Sequence, residues 1–156
     1  MEFSIEQALK LGVNFHNQGN LEEAERIYRL ILQAKPQEPD ANHNLGLIGI
    51  SKNQTEAAIP LFRKAVNANP KLVQFWISYI EALLKSNQID EAAKACREAI
   101  NSGLTNEKLR NVSTQIENSL KTNDKSKYKK RGTTQQGPSN DKLNNLIALF
   151  QAGQID

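Results

Sequence analysis

Histidine and cysteine, the side chains that most often bind metals or attack substrates, are scarce in this sequence of 156 residues, which holds two histidines and one cysteine. Neither His16 nor His43 has a second histidine or a cysteine at the spacing that would place two metal ligands on one helix face. Cys96 has no basic residue on its own face of a helix, so we interpret it as a small buried apolar residue. These residues predict neither a metal site nor a nucleophile.

Loops that position catalytic groups are also missing from the sequence. It contains no nucleophile-elbow turn and no glycine-rich phosphate-binding loop. A single cysteine cannot form an intramolecular disulfide, and no apolar run approaches the roughly 18 residues that a membrane-spanning helix needs. The first residues, MEFSIEQALK, do not have the basic-then-apolar pattern of a signal peptide. We therefore expect a cytoplasmic chain without catalytic activity, cofactor, bound metal or membrane contact.

Positive charge is concentrated in one short segment. The formal net charge is +3, yet residues 1–120 are almost balanced and the excess comes from residues 121–141. That segment holds five basic residues around Tyr128: Lys125, Lys127, Lys129, Lys130 and Arg131. Several phosphate contacts and one stacking ring could bind nucleic acid weakly, with strong salt dependence. A solvated linker explains the same residues.

A repeat of about 34 residues, a length typical of paired helices, organises most of the chain. Shifting the sequence by that length superimposes small residues, apolar residues and prolines: Ala24, Ala58 and Ala92; Tyr28, Phe62 and Cys96; Ile31, Ala65 and Ala99; Gly12 and Gly46; Pro36 and Pro70. A period of this length with small residues in fixed columns predicts paired helices that stack into a solenoid.

Each column has a physical reason. We expect Gly12 and Gly46 to lie where the two helices of a pair approach most closely, opposite the alanine column. The aromatic column should fill the space between neighbouring pairs, and the prolines should end the second helix of a pair because proline lacks an amide hydrogen. Gly19, Asn53 and Asn87 are predicted to adopt the left-handed conformation that ends the first helix.

This pattern resembles the tetratricopeptide repeat family. The resemblance covers three repeats, at about residues 5–38, 39–72 and 73–106. The third repeat departs from the pattern, with Ile80, Cys96 and Leu104 at its small, aromatic and proline positions. The resemblance implies an all-α fold, a right-handed superhelical solenoid of helix-turn-helix repeats.

Three further segments complete the predicted organisation. A helix at about residues 105–121 should cap the last repeat, so that the repeat domain spans residues 1–121. Residues 122–140 are polar and basic and predict a disordered linker. Residues 141–156 resemble the first helix of an incomplete repeat, which favours a chain that continues into further repeats or a C-terminal domain. The alternative is a helix that docks in the groove of the solenoid.

The resemblance also implies a binding groove lined by the first helix of each repeat. The residues expected to face this groove share helical spacing: Leu9, Val13, His16, His43, Asn44, Leu47, Ile50, Ile77, Glu81 and Leu84. Some members of the family bind the C-terminal carboxylate of chaperones through lysines, an arginine and asparagines in these columns. Only Asn44 matches here, since Leu9, Val13, Gln74 and Ser78 stand at the other positions. An apolar groove is instead typical of a surface for an extended peptide or an amphipathic helix.

Protein–protein interaction is therefore the function that the sequence favours, with a peptide or an amphipathic helix as the partner. Proteins of this kind often carry their repeats before a glycosyltransferase, sulfotransferase or methyltransferase domain. The first alternative is thus a region that recruits a substrate or a partner to a larger enzyme. The second is a weak tether to nucleic acid or an acidic surface through the basic segment.

Replacing Lys127, Lys129, Lys130 and Arg131 together by glutamine tests the tether. Because residues 1–120 are almost neutral, we expect the parent protein to show no measurable affinity for nucleic acid at physiological salt, and the variant to match it. Fluorescence anisotropy with a labelled single-stranded oligonucleotide, over a range of salt concentrations, measures this. Tight, salt-sensitive binding that only the parent shows would contradict the expectation.

Overall fold

The computed structural model describes residues 4–129, of which residues 123–129 are described by their backbone alone. In this range the chain forms seven α-helices and no strand, as the sequence predicts: α1 (Ile5–Asn17), α2 (Leu21–Ala34), α3 (Pro39–Ser51), α4 (Thr55–Ala68), α5 (Val73–Lys85), α6 (Ile89–Asn101) and α7 (Glu107–Lys129). The first six helices form three antiparallel pairs, because the connections within each pair are tight turns. No helix in residues 4–129 is long and apolar enough to cross a membrane.

The turn within each pair has the same construction. Gly19, Asn53 and Asn87 have positive φ angles of 79°, 59° and 58°, which confirms the predicted left-handed positions. The residue after each of them donates its backbone N–H to a carbonyl five residues earlier, as Gln54 does to Gly49 at 2.8 Å. These identical turns recur at the same position of each repeat and give the three pairs one common geometry.

Glycines on the first helices admit aromatic rings from the second helices. A side-chain carbon added at Gly12 would lie 2.7 Å from the ring of Tyr28, and one added at Gly46 would lie 2.7 Å from the ring of Phe62. The sequence-based prediction that the glycines face the alanine column is therefore wrong. Ala58 instead packs against Gly49, where an added carbon would lie 3.3 Å away. The rings reach the glycines because Tyr28 and Phe62 lie in the middle of the second helix of a pair and point at the backbone of the first helix.

Helix α7 covers the end of the repeats. Leu109, Val112 and Ile116 are buried in the apolar cluster that also contains residues of α4, α5 and α6. Helices α3, α5 and α7 begin at Pro39, Val73 and Glu107, so the step from α5 to α7 equals the step from α3 to α5. Helix α7 thus stands where the first helix of a further repeat would begin.

The predicted boundary of this last helix needs a correction. The sequence predicts a helix at about residues 105–121 and a disordered linker over residues 122–140, but α7 runs to Lys129. Residues 122–129 contain no glycine or proline, and lysines near a helix C-terminus interact favourably with its dipole. A composition too polar for a core can still extend a helix that has already formed. Residues 130–140 and the predicted helix of residues 141–156 lie outside the described residues.

The chain divides into two compact units, of which the first is Met1–Lys121 and the second is Thr122–Asp156. The three helix pairs and the buried part of α7 belong to the first unit. The described part of the second unit is the final stretch of α7.

Replacing Ala58 by leucine tests the packing within a helix pair. Ala58 is fully buried beside Gly49, so the larger side chain should lower the free energy of unfolding by about 1–3 kcal/mol. The adjacent Ala57 is exposed, and Ala57→Leu is the matched control, expected to change stability by less than about 0.5 kcal/mol. Urea unfolding followed by circular dichroism measures both variants. Equal stability of the two variants would mean that the described helix register is wrong.

Candidate binding groove

The first helices of the repeats form one continuous face of the first unit. Helix α1 contacts α3, and α3 contacts α5, whereas α2, α4 and α6 do not approach one another as closely. The odd-numbered helices therefore lie closer together than the even-numbered helices. Their shared face is the inner side of the solenoid, where the sequence predicts the groove.

A pocket of about 200 Å³ opens on this face between α3 and α5. Its walls and floor are apolar and its rim is charged, and the lining residues are Leu47, Ile50, Phe62, Ser78, Glu81, Ala82 and Lys85. The pocket can hold an aliphatic side chain of a ligand, and the charges at the rim can contact the polar groups beside it.

A row of uncharged polar groups crosses the groove beside this pocket. His43 on α3 shares a hydrogen bond of 3.0 Å with the Ser78 hydroxyl on α5, between Nε2 and Oγ, with the donor set by the histidine tautomer. Gln74 donates to the same hydroxyl from Nε2 at 3.4 Å. The His43 ring also lies 4.7 Å from the Phe75 ring and 5.6 Å from the Phe62 ring, measured between centroids. This contact joins two neighbouring repeats.

Burial keeps His43 neutral. Only 8% of His43 is exposed, and loss of hydration lowers the pKa of its imidazole from 6.5 to about 4. At neutral pH the groove therefore has no positive charge at this point. Ser78 and Gln74, which pack beside it, are also uncharged.

The core of the first repeat contains a buried hydroxyl without a hydrogen-bond partner. Tyr28 is fully buried, and its Oη has no hydrogen-bond partner. Burial raises the pKa of Tyr28 to about 12, and the nearby carboxylate of Asp40 contributes to the same shift. The pKa of Asp40 is itself raised, by burial and by the neighbouring Glu38. The Tyr28 hydroxyl therefore stays protonated at neutral pH, and its ring belongs to the core of the first repeat.

All ten predicted groove residues lie on α1, α3 and α5, with different degrees of burial. Val13 is exposed, and His16, Asn44, Leu47, Ile50, Leu9 and Leu84 are half-buried. The His16 ring packs edge-on against the Tyr28 ring, with 6.4 Å between centroids. Glu81 is exposed and pairs with Lys108 of α7, with 3.2 Å between Oε1 and Nζ. Leu9, Leu47, Ile50 and Leu84 also pack against the core beneath them.

Ile77 was wrongly assigned to the groove surface. Only 1% of it is exposed, and it does not line the pocket between α3 and α5. Helix α5 packs between α4 and α6, and α7 joins the same apolar cluster. More of its circumference is therefore covered than that of α1, and a position that is half-buried in the first repeat, at Leu9, becomes core in the third. His43 occupies the same position of the second repeat and is also buried.

Three residues of the pocket between α3 and α5 were missed by the sequence-based assignment. Ala82 lies one helical turn after Ser78, and Lys85 lies one turn after Glu81. Phe62 belongs to α4, the second helix of its pair. The repeat pattern does contain a signal for Phe62. Its ring packs against the backbone of α3 at Gly46, so it can reach the space between α3 and α5.

The basic segment is only partly described. The backbones of Lys125, Lys127 and Lys129 belong to α7, and Lys130 and Arg131 lie outside the described residues. Elsewhere in residues 4–129, no group of three or more histidine, cysteine, aspartate or glutamate side chains is arranged to hold a metal ion.

A larger opening lies on the opposite face, between α4 and α6. It has a volume of about 410 Å³, and its floor includes Trp76 and Tyr79. Arg63 already donates from Nε to the Tyr79 hydroxyl at 2.9 Å, and the Trp76 Nε1 donates to the Pro70 carbonyl at 2.8 Å. The polar groups of its floor thus have partners within the protein.

Sequence comparison identifies the family. Two tetratricopeptide repeat models match residues 4–38 and 50–116, which together are more than half of the chain. The chain belongs to the tetratricopeptide repeat family. No curated protein matches the sequence significantly.

Solved structures share the fold. The first repeat domain of Spaghetti (RPAP3), bound to the HSP90 peptide SRMEEVD, matches with a TM-score of 0.66 and 19% identity, over 74% of this chain and 92% of that one. The type III secretion chaperone SycD of Yersinia enterocolitica, in complex with a peptide of the translocator YopD, matches with a TM-score of 0.63 and 19% identity, over 81% and 97%. The Sgt2 repeat domain of Aspergillus fumigatus matches with a TM-score of 0.67 and 15% identity, over 86% and 87%.

The buried histidine makes the stability of the protein depend on pH. Because the folded-state pKa of His43 is lowered, the unfolded chain takes up a proton near pH 6.5 and the folded chain does so only near pH 4. The contribution of His43 to the unfolding free energy should therefore be constant above pH 6.5. As pH falls from 6.5 to 4, protonation of the unfolded chain should lower the unfolding free energy by about 3 kcal/mol. Urea unfolding of the parent and His43→Gln across this range measures the difference. Parallel pH profiles would contradict the neutral, buried histidine.

Proposed function

We propose that this chain binds a protein segment, an extended peptide or an amphipathic helix, along the face formed by α1, α3 and α5. The pocket between α3 and α5 carries this proposal, because it is an apolar opening on the surface of a stable helical array. An apolar side chain of the partner would occupy the pocket and contact Phe62 and Ala82 at its floor.

The energetics favour an apolar anchor. Burying one aliphatic side chain is worth about 1.5–3 kcal/mol, which is a large share of the binding free energy of a short peptide. Gln74 is exposed beside the pocket, where its uncharged amide can exchange hydrogen bonds with the backbone of a bound segment. Hydrophobic anchoring and backbone hydrogen bonds are the usual means by which grooves hold peptides.

The related structures support a peptide as the ligand, but the charge of this groove favours a peptide of different chemistry. Two of them contain bound peptides, from HSP90 and from YopD. A ligand recognised through its C-terminal carboxylate needs cations in the groove. Here His43 is neutral, and Gln74 and Ser78 carry no charge. We therefore propose recognition of an internal segment with an apolar side chain.

The alternative of a recruiting region within a larger enzyme uses the same groove. In that case the bound segment belongs to a substrate or to a partner of the enzyme. The coding sequence after Asp156 separates the two, because a catalytic domain encoded there supports recruitment.

Charge introduced into the groove should abolish binding. The variant Leu47→Glu/Leu84→Glu places two carboxylates on the apolar face, and Leu30→Glu/Ile100→Glu is the matched control on exposed apolar residues of α2 and α6. Twelve-residue peptides selected by phage display on the parent protein serve as probes. Fluorescence anisotropy should show at least about tenfold weaker binding to the groove variant and unchanged binding to the control.

Both variants must first be shown to be folded, because Leu47 and Leu84 also pack against the core. Circular dichroism and thermal unfolding provide that check, and Leu47→Ala, which shortens the wall without adding charge, provides a milder variant. Peptides that bind the folded groove variant as tightly as the parent would place the binding site elsewhere.

A further inference from the structure

The second and third repeats contact the repeat before them through the same positions of the repeat. An opening of about 280 Å³ lies between α2 and α4. Its lining includes these residues of the second repeat: Leu45, Ala57, Pro60, Leu61 and Lys64. The residues 34 positions later line the opening between α4 and α6: Tyr79, Glu91, Lys94, Ala95 and Glu98. These positions therefore form the side of a repeat that faces the preceding repeat.

The first repeat has the same positions, and no preceding repeat covers them in residues 4–129. We name them the end face, and they are Leu11 on α1 and Glu23, Arg26, Ile27 and Leu30 on α2. Among the described helices, α1 contacts only α2 and α3. Leu11 is 38% exposed, whereas its equivalents Leu45 and Tyr79 are each 6% exposed. The end face is therefore a repeat–repeat contact surface that the described residues leave uncovered.

The end face is apolar at a position where the other repeats are charged. Leu30 is 56% exposed, and its equivalents in the second and third repeats are Lys64 and Glu98. Leu11 and Ile27 lie next to Leu30, because their equivalents line one opening together with Lys64. A repeat that ends a solenoid in water needs a polar outer face to remain soluble. Two exposed leucines on the end face therefore indicate a surface that another molecule covers.

The opposite end of the repeats has a different character. Helix α7 buries Leu109, Val112 and Ile116 against the core. All exposed residues of α7 between positions 107 and 118 are polar or charged. A second copy packed head to tail would place the leucines of its end face against this polar helix. Another end face is the apolar surface that matches them.

The charges of the end face also suit an identical partner. Glu23 and Arg26 are exposed and have no ion pair within the described residues. Their charges cancel, so two end faces meet without net repulsion. In a two-fold contact the same surface of both copies meets, and every contact occurs twice. Glu23 of each copy can then pair with Arg26 of the other.

We propose that two copies of this chain form a symmetric dimer through their end faces. Leu11, Ile27 and Leu30 of both copies form the apolar centre of the contact, which takes the place of a preceding repeat. The pocket between α3 and α5 lies outside this contact. The dimer thus presents two pockets, and a partner with two suitable segments can bind both at once.

Analytical ultracentrifugation of the full chain tests the dimer. The parent should show a monomer–dimer equilibrium that shifts toward the dimer as the protein concentration rises. Leu11→Glu/Leu30→Glu places two carboxylates on each end face and should weaken dimerisation at least about tenfold. Ile100→Glu is the matched control, because Ile100 is a 47% exposed apolar residue of α6 outside the end face. It should dimerise like the parent.

Charge reversal tests which surfaces meet. Arg26→Glu gives each end face two acids and Glu23→Arg gives it two bases, so each variant should dimerise more weakly than the parent. An equimolar mixture of the two should form heterodimers about fivefold more tightly than either variant dimerises alone, because the unlike faces attract. Native mass spectrometry with one variant isotope-labelled measures the heterodimers.

The dimer is contradicted by a parent that stays monomeric over about a hundredfold range of concentration. It is also contradicted if Leu11→Glu/Leu30→Glu, shown to be folded by circular dichroism, dimerises as tightly as the parent. Loss of the dimer in Ile100→Glu would indicate packing through the other end of the repeats and would overturn the end-to-end contact.

The remaining variants keep the test decisive. If Leu11→Glu/Leu30→Glu does not fold, the charge-reversal variants decide, and a mixture no more dimeric than its components overturns the contact. The groove variant Leu47→Glu/Leu84→Glu should dimerise like the parent. Loss of peptide binding and loss of the dimer are therefore distinguished by different variants.

Discussion

The contact of an aromatic ring with a glycine backbone is the constraint on which the rest of the structure depends. Gly12 and Gly46 have no side chain, and the rings of Tyr28 and Phe62 fill the space that a side chain would need. This contact sets how closely the two helices of a pair approach. The Phe62 ring also forms the floor of the pocket between α3 and α5. The packing of the solenoid and the chemistry of its surface therefore share the same residues.

The same repeat position differs in polarity between the first two repeats. Phe62 gives the space between α3 and α5 an apolar floor. Tyr28 occupies the equivalent position of the first repeat and carries a hydroxyl that is buried without a hydrogen-bond partner. Equivalent positions of the two repeats thus differ by a single oxygen atom, and the pocket between α3 and α5 has the apolar one.

Periodicity predicts the fold well because it records local and repeated requirements. The constant repeat length, the left-handed residues such as Asn53 and the buried alanines all reflect contacts within a pair, and such contacts depend on few residues. The groove is harder to predict, since the exposure of a position depends on what packs on both sides of its helix. Ile77 is buried because α5 has neighbours on both sides, whereas the equivalent position in α1 is half-buried. The length of α7 was underestimated because polar composition excludes a core but not a helix.

The central claim is that a bound peptide inserts an apolar side chain between α3 and α5. Intermolecular nuclear Overhauser effects between a selected peptide and the protein measure this directly. We predict cross-peaks from one apolar side chain of the peptide to the Phe62 ring and the Ala82 methyl group. Cross-peaks to Trp76 and Lys94, which line the opening between α4 and α6, would contradict it.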